Sequence, residues 1–370
     1  MGKTDPDEAT PTDPNRGNEE EGDRQEDDKE EDDKEGGDKE EARQEKDGGE
    51  IEETSMTAPR APALTWRRAT PGTAQPQPEI VTALSRALAF FADRSTRPAL
   101  LARGMLGKPL SGDAVLCDHL IRERRRRTRM DGSVHGSLLE TTRTLAALLD
   151  LGCPPDHAAV VRTLGYVLAR QNAPGHFGEG CDRDRHDAGE CRHALRGFFS
   201  PATRDDEFST ARFPTGLIVD TEDDARFAAS CYALRVVLRA REDRRAQVRE
   251  HIESLIGLES LWDVHGDRWA SSLRVFALAA LGVVPHTHRA NAERCARIFI
   301  SAQADDGTWH ETTLVHALDA LSGFTMPEAV QAVHRAIPPL LARQQHDGSF
   351  SPDGDEETTL IAMRVLTRAG

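Results

Sequence analysis

Two cysteines and two histidines cluster in one short segment of the chain. Cys181, His186, Cys191 and His193 follow the spacing Cys-x4-His-x4-Cys-x-His. Thiolates and imidazoles are the ligands that Zn²⁺ prefers, and four of them can complete a tetrahedral site. The sequence therefore predicts a zinc site at these four residues. Two other interpretations stay open: a polar loop with incidental cysteines, and a reactive cysteine paired with one of the histidines.

A second group of chemically useful side chains stands where an apolar helical pattern begins. Asp220, Glu222, Asp223 and Asp224 precede a pattern that continues through Leu234. A carboxyl group can act as a proton donor when burial and a charged neighbour keep it protonated. Acids at a helix start are also favoured by the helix dipole without any catalytic role. Both the catalytic and the helix-capping interpretation of these four residues stay open.

A dense basic stretch runs over residues 122–129, Arg-Glu-Arg-Arg-Arg-Arg-Thr-Arg. It fits a solvated helix face with salt bridges, and it also fits an anchor for phosphate or diphosphate, whose oxygens match the guanidinium fork. One short run without interleaved aromatic residues does not indicate a nucleic-acid partner.

Four histidines lie at or near the starts of predicted helices: His135, His265, His310 and His316. A single histidine is more often a structural hydrogen-bonding residue than a ligand. These four would share one rim only if the helix starts converge.

The elements that must position these groups repeat along the chain. Each repeat is a helix, a tight turn with Asp-Gly, and a second helix with an apolar stripe, and the starts are roughly 40 to 50 residues apart. Glycine tolerates the positive φ that such a turn needs. The clear turns are Asp131-Gly132, Asp306-Gly307 and Asp347-Gly348, and weaker copies begin near Gly175, Phe213 and Trp262. The pattern predicts repeated helical hairpins, and six such hairpins can close into a double ring.

Two of these turns carry a recognisable motif. Gln303, Gly307 and Trp309 share their spacing with Gln344, Gly348 and Phe350. This pattern resembles the Gln-Trp repeat of the terpenoid cyclases, and the β-subunits of protein prenyltransferases have related repeats. The resemblance covers about residues 80–370. It implies an all-α fold, an (α/α)6 toroid, with a central cavity for an isoprenoid-like apolar substrate.

The resemblance also gives the acidic residues a possible role. In class II terpene cyclases an Asp-x-Asp-Asp motif opens an inner helix, and its middle aspartate protonates an alkene or epoxide. The register starting at Thr221 makes Asp223 the donor, but its first position is threonine. The register starting at Asp220 makes Glu222 the donor. Prenyltransferases hold zinc with residues from separated helix starts, so zinc at the Cys181–His193 cluster would be bound differently.

Charge divides the chain into parts. Residues 1–56 hold 24 acidic and 8 basic residues, a net charge of −16, and the remaining residues are balanced. A segment so poor in apolar residues cannot offset its ordering cost, so we predict a disordered acidic tail over 1–56. A Pro-rich linker over 57–80 and an α/α domain over 81–370 follow. Met56 also fits a natural start, with the stretch before it an extension.

Cysteine usage and hydropathy suggest the environment of the protein. Six scattered cysteines in a large helical domain predict reduced thiols. The sequence has no apolar run long enough to span a membrane and no signal peptide at its start. We therefore predict a cytoplasmic protein.

Three classes of function follow from these observations. The first is a cyclase- or prenyltransferase-like toroid that binds an isoprenoid-like molecule and cyclises or transfers it. The second is a non-catalytic toroid that binds a peptide or protein, favoured by the low count of 12 Phe, 4 Trp and 2 Tyr. The third is a zinc- or thiol-dependent enzyme that uses the Cys181–His193 segment. The oligomeric state is not indicated.

Overall fold

The computed structural model describes residues 77–171, 211–214, 216–262, 271–310 and 312–370. The predicted tail and most of the predicted linker lie outside the described residues. The described part is mostly helical, which confirms the predicted class in its coarse form, and the first helix begins at Pro78.

Fourteen helices and two short strands make up the described part of the chain. The helices are α1 (Pro78–Phe90), α2 (Arg97–Met105), α3 (Asp113–Arg127), α4 (Leu138–Asp150), α5 (Ala158–Leu168), α6 (Glu222–Arg239), α7 (Ala246–Ile256), α8 (Glu259–Trp262), α9 (Ser271–Leu281), α10 (His286–Ser301), α11 (Leu314–Leu321), α12 (Pro327–Arg335), α13 (Ile337–Leu341) and α14 (Glu356–Ala369). The strands are β1 (Ala211–Arg212) and β2 (Ile218–Val219), paired antiparallel with Ala211 opposite Val219.

Six helices pack in an unbroken succession: α4 against α6, α6 against α9, α9 against α11, α11 against α14, and α14 against α2. Helix α3 packs against both α2 and α4. We call α2, α4, α6, α9, α11 and α14 the lining helices. The other long helices pack on them, as α5 does on α4 and α6, and α10 on α9.

The lining helices carry much of the hydrophobic core. Every residue of α11 is buried, and its apolar side chains join one large cluster with those of α6 and α9. A helix that is buried all round is expected to be apolar all round. Two residues of α11 depart from that rule, His316 and Asp319, and both line the cavity described below.

The Asp-Gly turns are built alike in three repeats. In each, the aspartate carboxylate accepts hydrogen bonds from the backbone N–H and the hydroxyl of the residue two positions later. The N–H bond is 2.9 Å long in all three. The bonds join Asp131 to Ser133, Asp306 to Thr308 and Asp347 to Ser349.

The glycines of these turns sit against the backbone of another helix. All three have positive φ, and a Cβ added to any of them would lie 2.2 Å from a backbone carbonyl oxygen. Only glycine permits this approach. The pairs are Gly132 with Arg162 of α5, Gly307 with Arg335 of α12, and Gly348 with Arg86 of α1.

A glutamine reinforces two of these contacts. The side-chain amide of Gln303, just after α10, donates to the carbonyl of Ala332 in α12 at 2.9 Å. The amide of Gln344, just after α13, donates to the carbonyl of Ala83 in α1 at 2.9 Å. The turn after α13 therefore contacts α1 through the same kind of bond that joins the turn after α10 to α12.

Two sequence predictions about environment concern the described residues. No described helix has both the length and the hydropathy needed to cross a bilayer. Cys117, Cys153, Cys231 and Cys295 are free thiols.

Candidate functional site

The predicted zinc ligands Cys181, His186, Cys191 and His193 lie outside the described residues. Among the residues that are described, no group of three or more His, Cys, Asp or Glu side chains is arranged to hold a metal. The predicted zinc site therefore stays a prediction.

The predicted acidic residues lie at the first turn of α6. Thr221 is the N-cap, and its hydroxyl accepts a hydrogen bond from the Asp224 N–H at 3.3 Å. Glu222 forms an ion pair with Arg226 one turn later, at 2.5 Å. Asp220 is exposed, and the side chain of Asp223 lies outside the described residues. None of Asp220, Glu222 and Asp224 lines either cavity described below.

A cavity of about 410 Å³ lies between the lining helices. All six of them contribute to its wall, together with α3 and the β1–β2 hairpin. We call it the central cavity. Its polar lining residues are Arg97, Arg124, Arg127, Glu140, Arg143, Thr144, Asp150, Arg212, Tyr232, Arg235, Arg239, His316, Asp319, Asp355, Glu357 and Arg364.

Asp150, the last residue of α4, is the hub of an ionic network in this wall. Arg97 bonds to its carboxylate, Arg239 bonds to it at 2.5 Å, and Arg364 lies 3.9 Å away. Burial alone would raise the pKa of Asp150, but these arginines hold it well below its ordinary value. Arg97 also bonds to Glu357 of α14, so one guanidinium links three lining helices.

A second ion pair crosses from α6 to α11. Arg235 donates to both oxygens of Asp319, at 2.5 and 3.3 Å. Burial opposes ionisation of Asp319, yet the Arg235 charge keeps its pKa below the ordinary value. Asp150 and Asp319 are therefore both ionised at neutral pH and cannot donate a proton.

His316 is the histidine among the described residues that line the central cavity. Its ring is buried in the cavity wall with 2% exposure, and it packs edge-on against Phe276 with the ring centres 4.5 Å apart. Its Nδ1 has no hydrogen-bond partner among the described residues. Burial lowers the pKa of His316 to about 4, so the ring is neutral and can accept a proton or a hydrogen bond.

Aromatic side chains continue the wall beside His316. Phe213, from the hairpin, lies 4.6 Å from Phe276 between ring centres and 6.4 Å from Tyr232. Burial raises the pKa of Tyr232 to about 12, so its hydroxyl stays protonated. This part of the cavity suits an apolar body, and π faces also attract cations.

The basic stretch of α3 contributes two arginines to the opposite wall. Arg124 forms no ion pair in the described structure, and its Nε is buried without a hydrogen-bond partner. Burial and the charges of Arg127 and Arg97 lower the pKa of Arg124 against the opposing charge of Glu123. A bound anion would relieve both the missing bond and the repulsion.

The charges of all the residues that line the central cavity also favour an anionic ligand. Among the described lining residues, arginines outnumber carboxylates by eight to five. The arginines are Arg97, Arg124, Arg127, Arg143, Arg212, Arg235, Arg239 and Arg364, and the carboxylates are Glu140, Asp150, Asp319, Asp355 and Glu357. Since guanidinium groups stay charged, the cavity has an excess of positive charge and favours an anionic ligand.

The sequence analysis missed most of these residues. The signal that points to them is a charge inside an apolar helical run, as for Asp150 after Leu148-Leu149 and for Asp319 after Ala317-Leu318. Of the four histidines singled out, His316 lines the cavity, His135 and His310 are exposed, and His265 lies outside the described residues.

Comparisons with known proteins give little further guidance. No protein-family model matches the chain, and no curated protein matches it by sequence. Among solved structures, it is similar to the type II terpene cyclase MstE from Scytonema (apo), with 12% identity and a TM-score of 0.49, covering 79% of this chain and 98% of that chain.

Proposed function

We propose that residues 78–370 form an (α/α)6 toroid whose central cavity binds an amphipathic anion, an isoprenoid-like chain with a phosphate or diphosphate head, and cyclises or transfers it. The observation that carries the proposal is the surplus of arginines around one cavity bounded by all six lining helices.

Closure into a ring is supported by the contacts at the two ends of the domain. Gln344 and Gly348 contact α1 in the way that Gln303 and Gly307 contact α12. Packing of α14 on α2, and the bonds of Arg97 to α4 and α14, continue the succession of lining helices. These contacts support the proposal that the hairpins are arranged in a ring.

An anionic head is supported by arginines of the wall that have a buried N–H group without a hydrogen-bond partner. Arg124 is unpaired in the described structure, and the Nε of Arg143 is buried without a hydrogen-bond partner. Arginine forks bind phosphate oxygens with two parallel bonds, and charge-assisted bonds are the strong ones. Arg127 and Arg212 line the same cavity and would add to the attraction.

An apolar body is supported by the rest of the lining. Phe213, Phe276, Val236 and Ile361 line the cavity together with small alanines. The volume of about 410 Å³ falls in the range of small-molecule pockets. A short prenyl chain meets these walls without having to bury a polar group.

The charge state of the acids in the cavity supports transfer of a prenyl group more than a cyclisation that starts with protonation of an alkene. Asp150 and Asp319, two acids of the cavity wall, have lowered pKa values. Protonation of an alkene needs a carboxyl group whose pKa is raised. Arginines favour the opposite chemistry, in which the C–O bond of an allylic diphosphate breaks and the diphosphate leaves with the electron pair. The allylic cation then bonds to a nucleophilic acceptor, which releases a proton to solvent or to a neutral base such as His316.

The test is calorimetric titration of the full chain with geranyl diphosphate, geraniol and inorganic diphosphate, with product analysis in the presence of Mg²⁺ or Zn²⁺. We expect geranyl diphosphate to bind more tightly than geraniol. Arg124→Gln should weaken that binding by about tenfold or more, as loss of a charge-assisted bond implies. Arg244→Gln, at an exposed arginine outside both cavities, is the matched control.

A non-catalytic toroid is the second candidate, and the exposed arginines Arg127 and Arg212 favour it because an acidic peptide could reach them from solvent. Binding of an acidic peptide that Arg124→Gln leaves intact, with no binding of geranyl diphosphate, would select this candidate and reject the first.

A further inference from the structure

A second cavity, of about 310 Å³, lies on the other side of the last turns of α3. Its lining consists of four arginines, one threonine and the first two residues of α5. We call it the outer arginine cavity. The lining residues are Arg122, Arg125, Arg126, Thr128, Ala158, Ala159 and Arg162.

The four guanidinium groups have no carboxylate partner in the described structure. No carboxylate lines the cavity, and the one side-chain hydrogen bond described for the four runs from Arg122 Nε to the backbone carbonyl of Asp118, at 3.2 Å. Arg122 also lies three and four positions before Arg125 and Arg126, a spacing at which like charges repel. Such a cluster is relieved by a counter-anion.

The helix dipole explains only part of this arrangement. Arg125 and Arg126 lie in the last turn of α3, where positive charge is favoured. Arg162 has no such explanation, because it is the fifth of the eleven residues of α5 and lies outside the last turn of that helix. The first turn of α5 contains no acidic residue, and its N-cap is His157, whose Nδ1 accepts a hydrogen bond from the Ala159 N–H at 3.3 Å.

The cavity is held in shape by backbone contacts. The turn after α3 is fixed against α5, because Gly132 approaches the Arg162 carbonyl so closely that no Cβ would fit. Thr128 and Val134 form an isolated β-bridge across that turn. The arginines of α3 and α5 thus face one space from rigid supports, which lowers the ordering cost of binding.

We infer that the outer arginine cavity is a binding site for a phosphate or diphosphate group, separate from the central cavity. Guanidinium forks bind phosphate oxygens with paired, charge-assisted hydrogen bonds, and four of them line this cavity. The group can belong to a soluble ester or to a lipid head, and both present the same oxygens to the arginines.

The experiment is calorimetric titration of the full chain with inorganic diphosphate, using two sets of variants. We expect two binding events per wild-type chain. Arg125→Gln with Arg162→Gln should weaken one event by about tenfold or more, and Arg124→Gln should weaken the other. Arg244→Gln should leave both unchanged. All of these arginines but Arg124 are exposed, so the outer variants are expected to fold normally.

The outcomes separate this inference from the function proposed for the central cavity. A single event lost in the Arg125/Arg162 variant, and kept in Arg124→Gln, would support the outer cavity alone. A single event lost only in Arg124→Gln, or no binding at all, would overturn the inference.

A second arm identifies the source of the phosphate. Flotation with phosphatidylcholine vesicles, with and without phosphatidic acid, is compared between wild type and the Arg125/Arg162 variant. Recovery that needs both phosphatidic acid and the two arginines assigns the site to a lipid head. Recovery unaffected by phosphatidic acid, with the diphosphate event present, assigns it to a soluble ester.

Discussion

Arg235 of α6 and Asp319 of α11 form an ion pair in the wall of the central cavity. The pair joins the two helices directly, although each of them also packs against α9. The pair closes one side of the cavity with ionised groups, and Asp150 with its three arginines forms a second such cluster. Ionised networks of this kind position the walls of a site, and they also make its stability depend on pH.

Asp150→Asn should destabilise the domain by about 3 kcal/mol or more, because it leaves Arg239 and Arg364 without their buried counter-charge. Urea unfolding at neutral pH measures the change. Since the folded pKa of Asp150 is depressed, its contribution is full above the unfolded value of about 4 and is lost progressively as the pH falls from there through the folded value. Wild type and variant should therefore converge in acid. Asp305→Asn, at an exposed position, is the control and should change stability by about 0.5 kcal/mol at most. A small loss of unfolding free energy for Asp150→Asn at neutral pH would contradict the central role of Asp150 in the ionic network.

His316→Phe should make the domain less sensitive to mild acid. The folded pKa of His316 is lowered from 6.5 to about 4, so the wild type loses stability as the pH falls from 6.5 towards 4, while the unfolded chain takes up the proton. This component is about 3 kcal/mol over that interval, and phenylalanine keeps the ring contact with Phe276. Unfolding free energies at pH 7, 6, 5 and 4 test it, with His346→Phe, at an exposed histidine, as the control. Parallel curves for wild type and His316→Phe would refute the assignment.

Gly348→Ala should destabilise the domain more than Gly354→Ala. Both glycines have positive φ, 92° and 68°, and so share a strain of about 1–3 kcal/mol on substitution. Only at Gly348 would the new Cβ also meet a carbonyl oxygen, that of Arg86, whereas Gly354 has open space. The difference between the two melting temperatures isolates the contact of the last repeat with α1. Equal losses would mean that this contact contributes nothing.

Metal content tests the segment that the structure leaves undescribed. If Cys181, His186, Cys191 and His193 bind zinc, elemental analysis of the purified chain should find about one zinc per molecule. Cys181→Ser and Cys191→Ser should each remove it. Cys117→Ser is the matched control, because Cys117 lies on α3 and its thiol bonds to the Leu151 carbonyl. Zinc that survives both cluster substitutions would exclude the predicted ligands.

The sequence predicts interactions between residues that are close together in the chain, and it does not predict those between distant residues. The turns at Asp131, Asp306 and Asp347 are local, since an aspartate bonds to a residue two positions later, and they were readable from the repeat. The ionic pairs of the cavity join residues that are far apart in the chain, as Asp150 and Arg239 are, so spacing alone does not reveal them. The sequence shows the arginines of α3 as one continuous basic stretch. Which of them line the central cavity and which line the outer arginine cavity depends on the helices that pack beside α3.

The contact of Gln344 with Ala83 has a consequence for how the domain comes apart. A linear stack of repeats frays from its two outermost units, because each of those has a neighbour on one side only. In the described part of this chain, the first helix α1 contacts α13, α14 and the turn at Gly348, so the first and last described helices protect each other. We therefore expect unfolding to begin with separation of α1 from the turn at Gly348. The other helices are expected to unfold in the same cooperative transition.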